Sequence, residues 1–327
     1  MGLRRVPVQA VPLPAARLAV SLPLAVSLPL AVLAIGAGAA EAQSRFAGYA
    51  GLVLEAPAGV EAAAYGNAPY LLGAGAESIF YAPALIHRAD GIAAGLQRYG
   101  TEGTLATLAG TGSVGLGDFA VGLQYLRYNT KRFPGAPDLQ LPALGGDGPP
   151  LTEFVVSLGH AREVFGAVNA GVVAKHLEYQ FLGRTERVTL LDVGVARGFG
   201  PTMVSLAVRN LGSDLDHRGR ELRVPTQLAL GVSTEAFEVG ELDMFLTSQI
   251  ARRRDGEIVP AGGVEISYWP VQGYTFRLRA GLQRVVEDRR SPFTFGLALT
   301  GDALTLEYAF QAFDVDGNAH RFGLSFR

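Results

Sequence analysis

The residue types most often used in catalysis form no catalytic pattern in this chain. It has no cysteine, which excludes thiolate metal sites, disulfides and cysteine nucleophiles. The five histidines show no metal-ligand spacing, and no serine or aspartate is placed to form a triad with any of them. We therefore expect that the protein is not an enzyme and that it uses no metal or other cofactor.

Two short motifs are similar to ligand-binding loops but lack the required context. Residues 110–115, GTGSVG, match G-x-G-x-x-G, yet they lead into a strand instead of the helix that a dinucleotide site needs. Residues 314–318, DVDGN, lack the spacing and the closing glutamate of a calcium loop. Both segments are interpreted as turns. A loosely held Ca²⁺ at the second is the alternative.

The overall charge argues against a nucleic-acid partner. The chain of 327 residues has a formal net charge of −2, and it shows no basic stripe of the kind that binds nucleic acid. Glycine is abundant, with 42 residues, as expected for many tight turns and for bends in a curved sheet.

The N-terminal segment predicts export. Arginines precede an apolar run at residues 18–40, and Ala-Glu-Ala at residues 40–42 fits the small-x-small cleavage pattern of a signal peptide. A membrane anchor is the alternative, but two prolines interrupt the run. We predict a cleaved signal peptide at residues 1–42.

After this segment the chain alternates in polarity. From residue 89 to the end we count fourteen segments of about ten residues, the length of a tilted membrane-spanning strand. Tyr274, Phe276 and Leu278 alternate with Thr275 and Arg277, a period of two that no helix face shows. No charge-free run after the signal is long enough for a transmembrane helix, so a membrane location requires a closed barrel.

The connections also alternate in length. Short turns alternate with longer loops, of which residues 129–152 and 212–225 are the longest, as in outer-membrane barrels. A soluble β-sandwich or lipocalin-like barrel is the alternative. We predict an all-β protein with a 14-stranded antiparallel transmembrane barrel at residues 89–327, in contact with outer-membrane lipid. The charged segment 214–223 is expected to be solvated.

Five charged side chains share the inward parity of the C-terminal strands: Glu265, Arg277, Arg279, Glu307 and Arg321. If the hairpin is symmetric about Val271, Glu265 lies directly opposite Arg277, at the distance of a cross-strand ion pair. We predict a structural charge network in the barrel lumen. A path for substrate is the alternative.

Several segments resemble signatures of the PorV/PorQ family of FadL-like outer-membrane proteins. Residues 65–85, YGNAPYLLGAGAESIFYAPAL, have the glycine-rich turn, acidic residue and aromatic residue of its N-terminal motif. Further matches are RNLG at 209–212, VEISYWP at 264–270, LRAG at 278–281, LEYAF at 306–310 and GNAHRFGLSFR at 317–327. Ala82 replaces the asparagine of the family's N-P-A tripeptide, and Arg327 follows the terminal aromatic residue.

The resemblance implies a 14-stranded FadL-like barrel with an N-terminal plug inside it. Residues 43–88 would form the plug, with Glu77, Tyr81, Pro83 and Ala84 as its motif. It also implies an interaction barrel that assists type IX protein secretion, with secretion components and cargo proteins as partners. The alternative is a FadL-like channel for small hydrophobic molecules.

Overall fold

A computed structural model describes residues 50–73, 75–100, 103–129, 150–285, 290–313 and 318–327. The predicted signal peptide, residues 314–317 of the calcium-like motif and most of the loop 129–152 lie outside the described residues. Within these ranges, no helix is both long and apolar enough to cross a membrane.

The described chain begins with short helical turns and continues as strands. The helical elements are 3₁₀ turns at Leu52–Leu54, Ala76–Phe80 and Pro83–Arg88 and one helix, α1, at Val60–Ala64. The strands are β1 Ile92–Tyr99, β2 Gly103–Val114, β3 Gly117–Asn129, β4 Pro150–Val164, β5 Val168–Phe181, β6 Arg184–Phe199, β7 Thr202–Gly212, β8 Leu215–His217, β9 Arg220–Leu222, β10 Gln227–Thr234, β11 Phe237–Val239, β12 Leu242–Arg253, β13 Ile258–Val271, β14 Tyr274–Gln283, β15 Arg290–Thr300, β16 Leu304–Phe313 and β17 Ala319–Phe326.

The main sheet is a closed antiparallel barrel. Each strand pairs with its neighbour in sequence, β17 pairs with β1, and β10 bridges β7 and β12. The short β11 continues β10 after a break of two residues, and both pair with β12. The barrel therefore has the fourteen predicted strands, and the prediction of an all-β, 14-stranded barrel is confirmed. Among the described residues, closure gives each of the fourteen barrel strands, with β10 and β11 counted as one, a partner on both sides, as the hydrocarbon core of a membrane requires.

The outer surface is apolar, as the alternation predicted. Phe276, Leu278 and Phe322 are each more than half exposed, whereas their sequence neighbours Arg279 and Arg321 point inward and are buried. Such an outward apolar surface on a closed barrel matches the hydrocarbon core of a bilayer. By the rule that periplasmic turns are short and outer loops are long, the start of β1 and the end of β17 lie on the periplasmic side, and the long loops lie on the outer side.

One predicted register is wrong. Glu265 pairs with Arg279, and Arg277 pairs instead with Ser267. The β13–β14 ladder is irregular between Tyr268 and Val271. Pro270 lies in this interval, and because proline has no backbone N–H, it cannot donate to the ladder. The turn is centred between Gln272 and Gly273, since Val271 pairs with Tyr274, and the irregularity then moves the pairing by one residue. Together these two effects place Arg279, and not Arg277, opposite Glu265.

Candidate functional site

The lumen is filled by the segment before β1, residues 50–73 and 75–91, which we call the plug. Polar side chains of the barrel bind its backbone. Gly51 and Val53 donate N–H groups to Glu153 at 2.9 and 2.8 Å, and Gly66 donates to Thr294 Oγ1 at 3.0 Å. Buried backbone groups require such partners. The barrel interior therefore carries polar side chains where the irregular plug backbone needs them.

A charge network joins the plug to the wall. Arg279 is 1% exposed and donates to three carboxylates: Glu265 at 2.7 Å, Glu307 at 2.5 Å and Glu61 of the plug at 3.1 Å. Its guanidinium also lies 5.3 Å from the ring centroid of Tyr65, within the range of a cation–π contact. Tyr65 in turn donates its hydroxyl to Glu265 at 2.5 Å.

The five predicted network residues do not form a single cluster. Glu265, Arg279 and Glu307 meet as described, and Arg277 lies at the margin, with its Nε 3.7 Å from Glu265. Arg321 is buried elsewhere and donates to Gln97 and Gln311 at 3.0 Å each. The predicted set omits the two plug residues of the network, Glu61 and Tyr65. Neither lies on an alternating strand, so the alternation could not show which way their side chains face.

The plug-motif residues are packed within the plug. Tyr81 accepts a hydrogen bond from Gly59 N at 2.9 Å, and a Cβ added at Gly59 would lie 2.0 Å from the carboxylate of Glu77. Pro83 and Ala84 begin the last 3₁₀ turn and are buried, and this turn packs against β4 and β5. These residues hold the plug in shape, and Ala82 is buried beside them.

Glycines on the inner wall let the plug backbone approach closely. A Cβ at Gly171 would lie 2.2 Å from the carbonyl oxygen of Pro83, and one at Gly281 would lie 2.3 Å from Gly66 N. Strand glycines often mark such approaches of another backbone. The high glycine content of the sequence thus has a second cause besides turns and bends.

The outer half of the lumen is apolar. Side chains of β1 to β6 form one buried cluster with the start of the plug and with the loop after β7, and we call this the outer apolar cluster. Its wall members are Tyr99, Leu105, Leu126, Tyr128, Leu151, Val155, Leu177, Tyr179, Phe181, Val188 and Leu190.

The loop after β7 closes over this cluster. It forms the hairpin β8–β9 and buries Leu215, Leu222 and Val224 in the cluster. His217 is 4% exposed and lies beside the rings of Tyr179 and Phe181. The expectation that segment 214–223 is simply solvated is therefore wrong. Its apolar residues alternate with charged ones, so one side of the hairpin packs inward.

A cavity of about 50 Å³ lies between the plug and the wall formed by β7, β10, β12 and β13. Arg209, Gln227 and Arg253 are cross-strand neighbours on three adjacent strands, and all three line the cavity. Lys175, Glu55, Tyr81 and several amide side chains complete its polar lining. This cavity is lined mainly by polar groups, in contrast to the outer apolar cluster.

The closed barrel, its apolar exterior and its inner plug define the class. The protein is a bacterial outer-membrane β-barrel with a FadL-like architecture. It is similar in structure to the toluene transporter TbuX of Ralstonia pickettii, with a TM-score of 0.51 and 13% identity over 82% of this chain and 96% of that chain. It is also similar to the toluene transporter TodX of Pseudomonas putida, with a TM-score of 0.52 and 10% identity over 82% of this chain and 96% of that one. No protein-family model and no curated protein matches the sequence.

Glu61 makes the plug contact sensitive to pH. Burial raises the pKa of Glu61 to about 7, against the opposing charge of Arg279. The folded protein thus holds this proton up to about pH 7, whereas the unfolded chain releases it near pH 4.5. Stability is therefore expected to fall as the pH rises through this window. We expect a lower urea midpoint at pH ~8 than at pH ~5.5, and a smaller difference in Glu61→Gln. Equal pH dependence in the two proteins would contradict this assignment.

Proposed function

We propose that the protein is a channel, without enzymatic activity, that admits small hydrophobic molecules through the outer membrane. The observation that carries this proposal is the outer apolar cluster. Porin interiors are polar and water-filled, whereas the outer lumen of this barrel is lined by buried aliphatic and aromatic side chains. An apolar solute gains free energy by leaving water for such a surface.

The comparisons support this substrate class. Both structurally similar barrels described above are toluene transporters, and they share the overall architecture with this chain. Small aromatic hydrocarbons are therefore the first compounds to test. The β8–β9 hairpin and the plug lie on the route through the lumen, so passage requires these two segments to move.

The test compares two leucines of β2 that face opposite sides of the wall. Leu105 is fully buried in the outer apolar cluster, and Leu108 is 46% exposed on the outside. We expect Leu105→Asn to lower the uptake of radiolabelled toluene by cells several-fold, because a polar amide then interrupts the apolar lining. Leu108→Asn should retain uptake near that of the unchanged protein. Barrel assembly is checked for both variants by their faster gel migration before boiling.

The second candidate is the PorV/PorQ-type interaction barrel that assists secretion. The motif resemblance of residues 65–85 favours it. Its expected docking loops would be residues 129–152 and 212–225, and the second of these buries its apolar side chains within the barrel mouth. If both asparagine variants leave uptake unchanged, while shortening of loop 129–152 removes surface proteins from the cell exterior, the interaction barrel is the better proposal.

A further inference from the structure

A row of polar side chains crosses the outward face of the barrel at the outer ends of β17, β1, β2 and β3. His320 pairs with Arg98, Arg98 pairs with Thr104, and Thr104 pairs with Arg127. All four side chains are exposed and point away from the lumen, since the next residue of each strand is buried. Each lies within two residues of the outer end of its strand. We call these four residues the basic row.

The outward face of the same four strands is uncharged on the periplasmic side of the basic row. The next outward residues are Phe322, Leu96, Ala106 and Tyr125, and no charged side chain points outward from there to the periplasmic ends of these strands. A charged side chain on the lipid face is costly at the middle of the bilayer, and the cost falls near the interfaces. The basic row therefore marks the level at which this wall leaves the hydrocarbon and meets the lipid head groups.

Aromatic side chains beside the basic row indicate the same level. Phe310 is the cross-strand partner of His320, and their ring centroids are 5.5 Å apart. The hydroxyl oxygen of Tyr308 lies 2.8 Å from His320 Nδ1, and the Tyr308 ring packs 5.2 Å from that of Phe322. Aromatic residues concentrate where a membrane protein crosses from hydrocarbon to water. The contact with Tyr308 occupies one ring nitrogen of His320, so Nε2 can bind another partner.

An apolar groove of about 640 Å³ adjoins the basic row on the outward face of β13 to β17. This volume is in the range of about 300–1,000 Å³ that is typical of sites for small molecules. The groove begins at Phe322, two residues from His320, and its side nearest the outer loops is a single cross-strand row: Phe322, Tyr308, Leu297, Leu278 and Ile266. A hydrocarbon chain in the groove would therefore have its polar end beside His320.

We propose that the basic row binds the phosphate groups of lipids in the outer leaflet, and that the groove holds an acyl chain of such a lipid. Guanidinium groups form two parallel charge-assisted hydrogen bonds with phosphate. Neighbouring strands are about 5 Å apart, so Arg98 and Arg127 are about 10 Å apart across β2 and can bind two phosphates of one lipid. Within the part of the chain that the structure describes, neither arginine forms an ion pair. The site lies outside the lumen and does not depend on the proposed channel.

The test measures lipid binding to the purified full-length protein in neutral detergent, by native mass spectrometry over a series of lipid concentrations. Diphosphoryl lipid A is the probe, phosphatidylcholine is a lipid without net charge, and inorganic phosphate represents the head group alone. We expect saturable binding of diphosphoryl lipid A. The double variant Arg98→Gln/Arg127→Gln should weaken it roughly thirtyfold, because each basic side chain near an anionic membrane surface contributes about fivefold in affinity.

The matched control is Arg187→Gln/Arg252→Gln, which removes two positive charges from exposed positions on β6 and β12. It should bind diphosphoryl lipid A like the unchanged protein. Both double variants should fold, since all four side chains are exposed, and gel migration before boiling checks this.

The proposal is overturned if diphosphoryl lipid A binds no more tightly than phosphatidylcholine, or if the two double variants bind it equally well. Inorganic phosphate that displaces the lipid at equal concentration would indicate a site for free phosphate and would overturn the lipid as the ligand. Loss of toluene uptake in Leu105→Asn with unchanged lipid binding would leave this proposal standing, because the two sites are on opposite faces of the wall.

Discussion

Replacement of Arg279 by methionine is expected to loosen the plug and to lower the free energy of unfolding by about 3–5 kcal/mol, the usual cost of removing one partner from a buried charge cluster. Arg279 holds Glu265, Glu307 and Glu61 within 3.1 Å of its guanidinium. Without it, the acidic groups of Glu265, Glu307 and Glu61 lose the cation that they share. Urea unfolding of the purified protein in lipid vesicles measures the loss.

The matched control for this experiment is Arg277→Met. Arg277 is on the same strand, but its side chain is 30% exposed and its contact with Glu265 is longer, at 3.7 Å. Such partly exposed pairs contribute at most about 1 kcal/mol. Proteinase K should cleave residues 50–91 faster in Arg279→Met than in Arg277→Met. Equal losses of stability in the two variants would mean that the plug is held by other contacts.

Gly171→Val is expected to displace the plug and to open an ion-conducting path. Its Cβ would lie 2.2 Å from the carbonyl oxygen of Pro83, and a backbone atom cannot move aside as a flexible side chain does. Overpacking of this kind costs about 1–3 kcal/mol, which is relieved if the last 3₁₀ turn of the plug leaves the wall. Single-channel recordings in planar bilayers should show larger and longer openings than those of the unchanged protein.

Gly112→Val is the control for the glycine experiment. No atom lies within 4 Å of a Cβ at Gly112, so the same substitution meets open space there. Its conductance should equal that of the unchanged protein. If Gly171→Val also conducts like the unchanged protein, the close approach to Pro83 is not what positions the plug.

The barrel itself was readable from the sequence because lipid and lumen impose opposite polarity on successive residues. Phe276 faces outward and Arg279 faces inward, as this rule predicts. Counting the segments that alternate in this way gives the fourteen strands. The rule fails where the ladder is irregular, as at Pro270, because alternation gives the face of a residue but not its cross-strand partner.

The interior was less predictable, since it depends on contacts between distant parts of the chain. The hydroxyl of Tyr65 reaches Glu265, 200 residues away, and no local pattern encodes that pairing. The polar cavity between the plug and β7, β10, β12 and β13 also depends on contacts between distant parts of the chain. Arg209 has the alternation of any inward-facing strand residue, and the sequence does not show the bulge opposite it, at which Asp192 binds Lys175 and the backbone of Asn210. The burial of the β8–β9 hairpin could have been predicted, because Leu215 and Leu222 alternate with charged residues.

The seam between β1 and β17 constrains the order of events during assembly. The ring closes when the last strand of the chain pairs with the first, from Ile92 with Phe326 to Tyr99 with Ala319. The plug directly precedes β1 and lies inside the ring, held by hydrogen bonds to residues of β4, β13, β14 and β15. Because the plug is joined directly to β1 and is bound by strands around the ring, we expect it to be enclosed while the seam is still open. Insertion into the membrane and filling of the lumen are then expected to be parts of one event, completed when the eight-residue β17 pairs with β1.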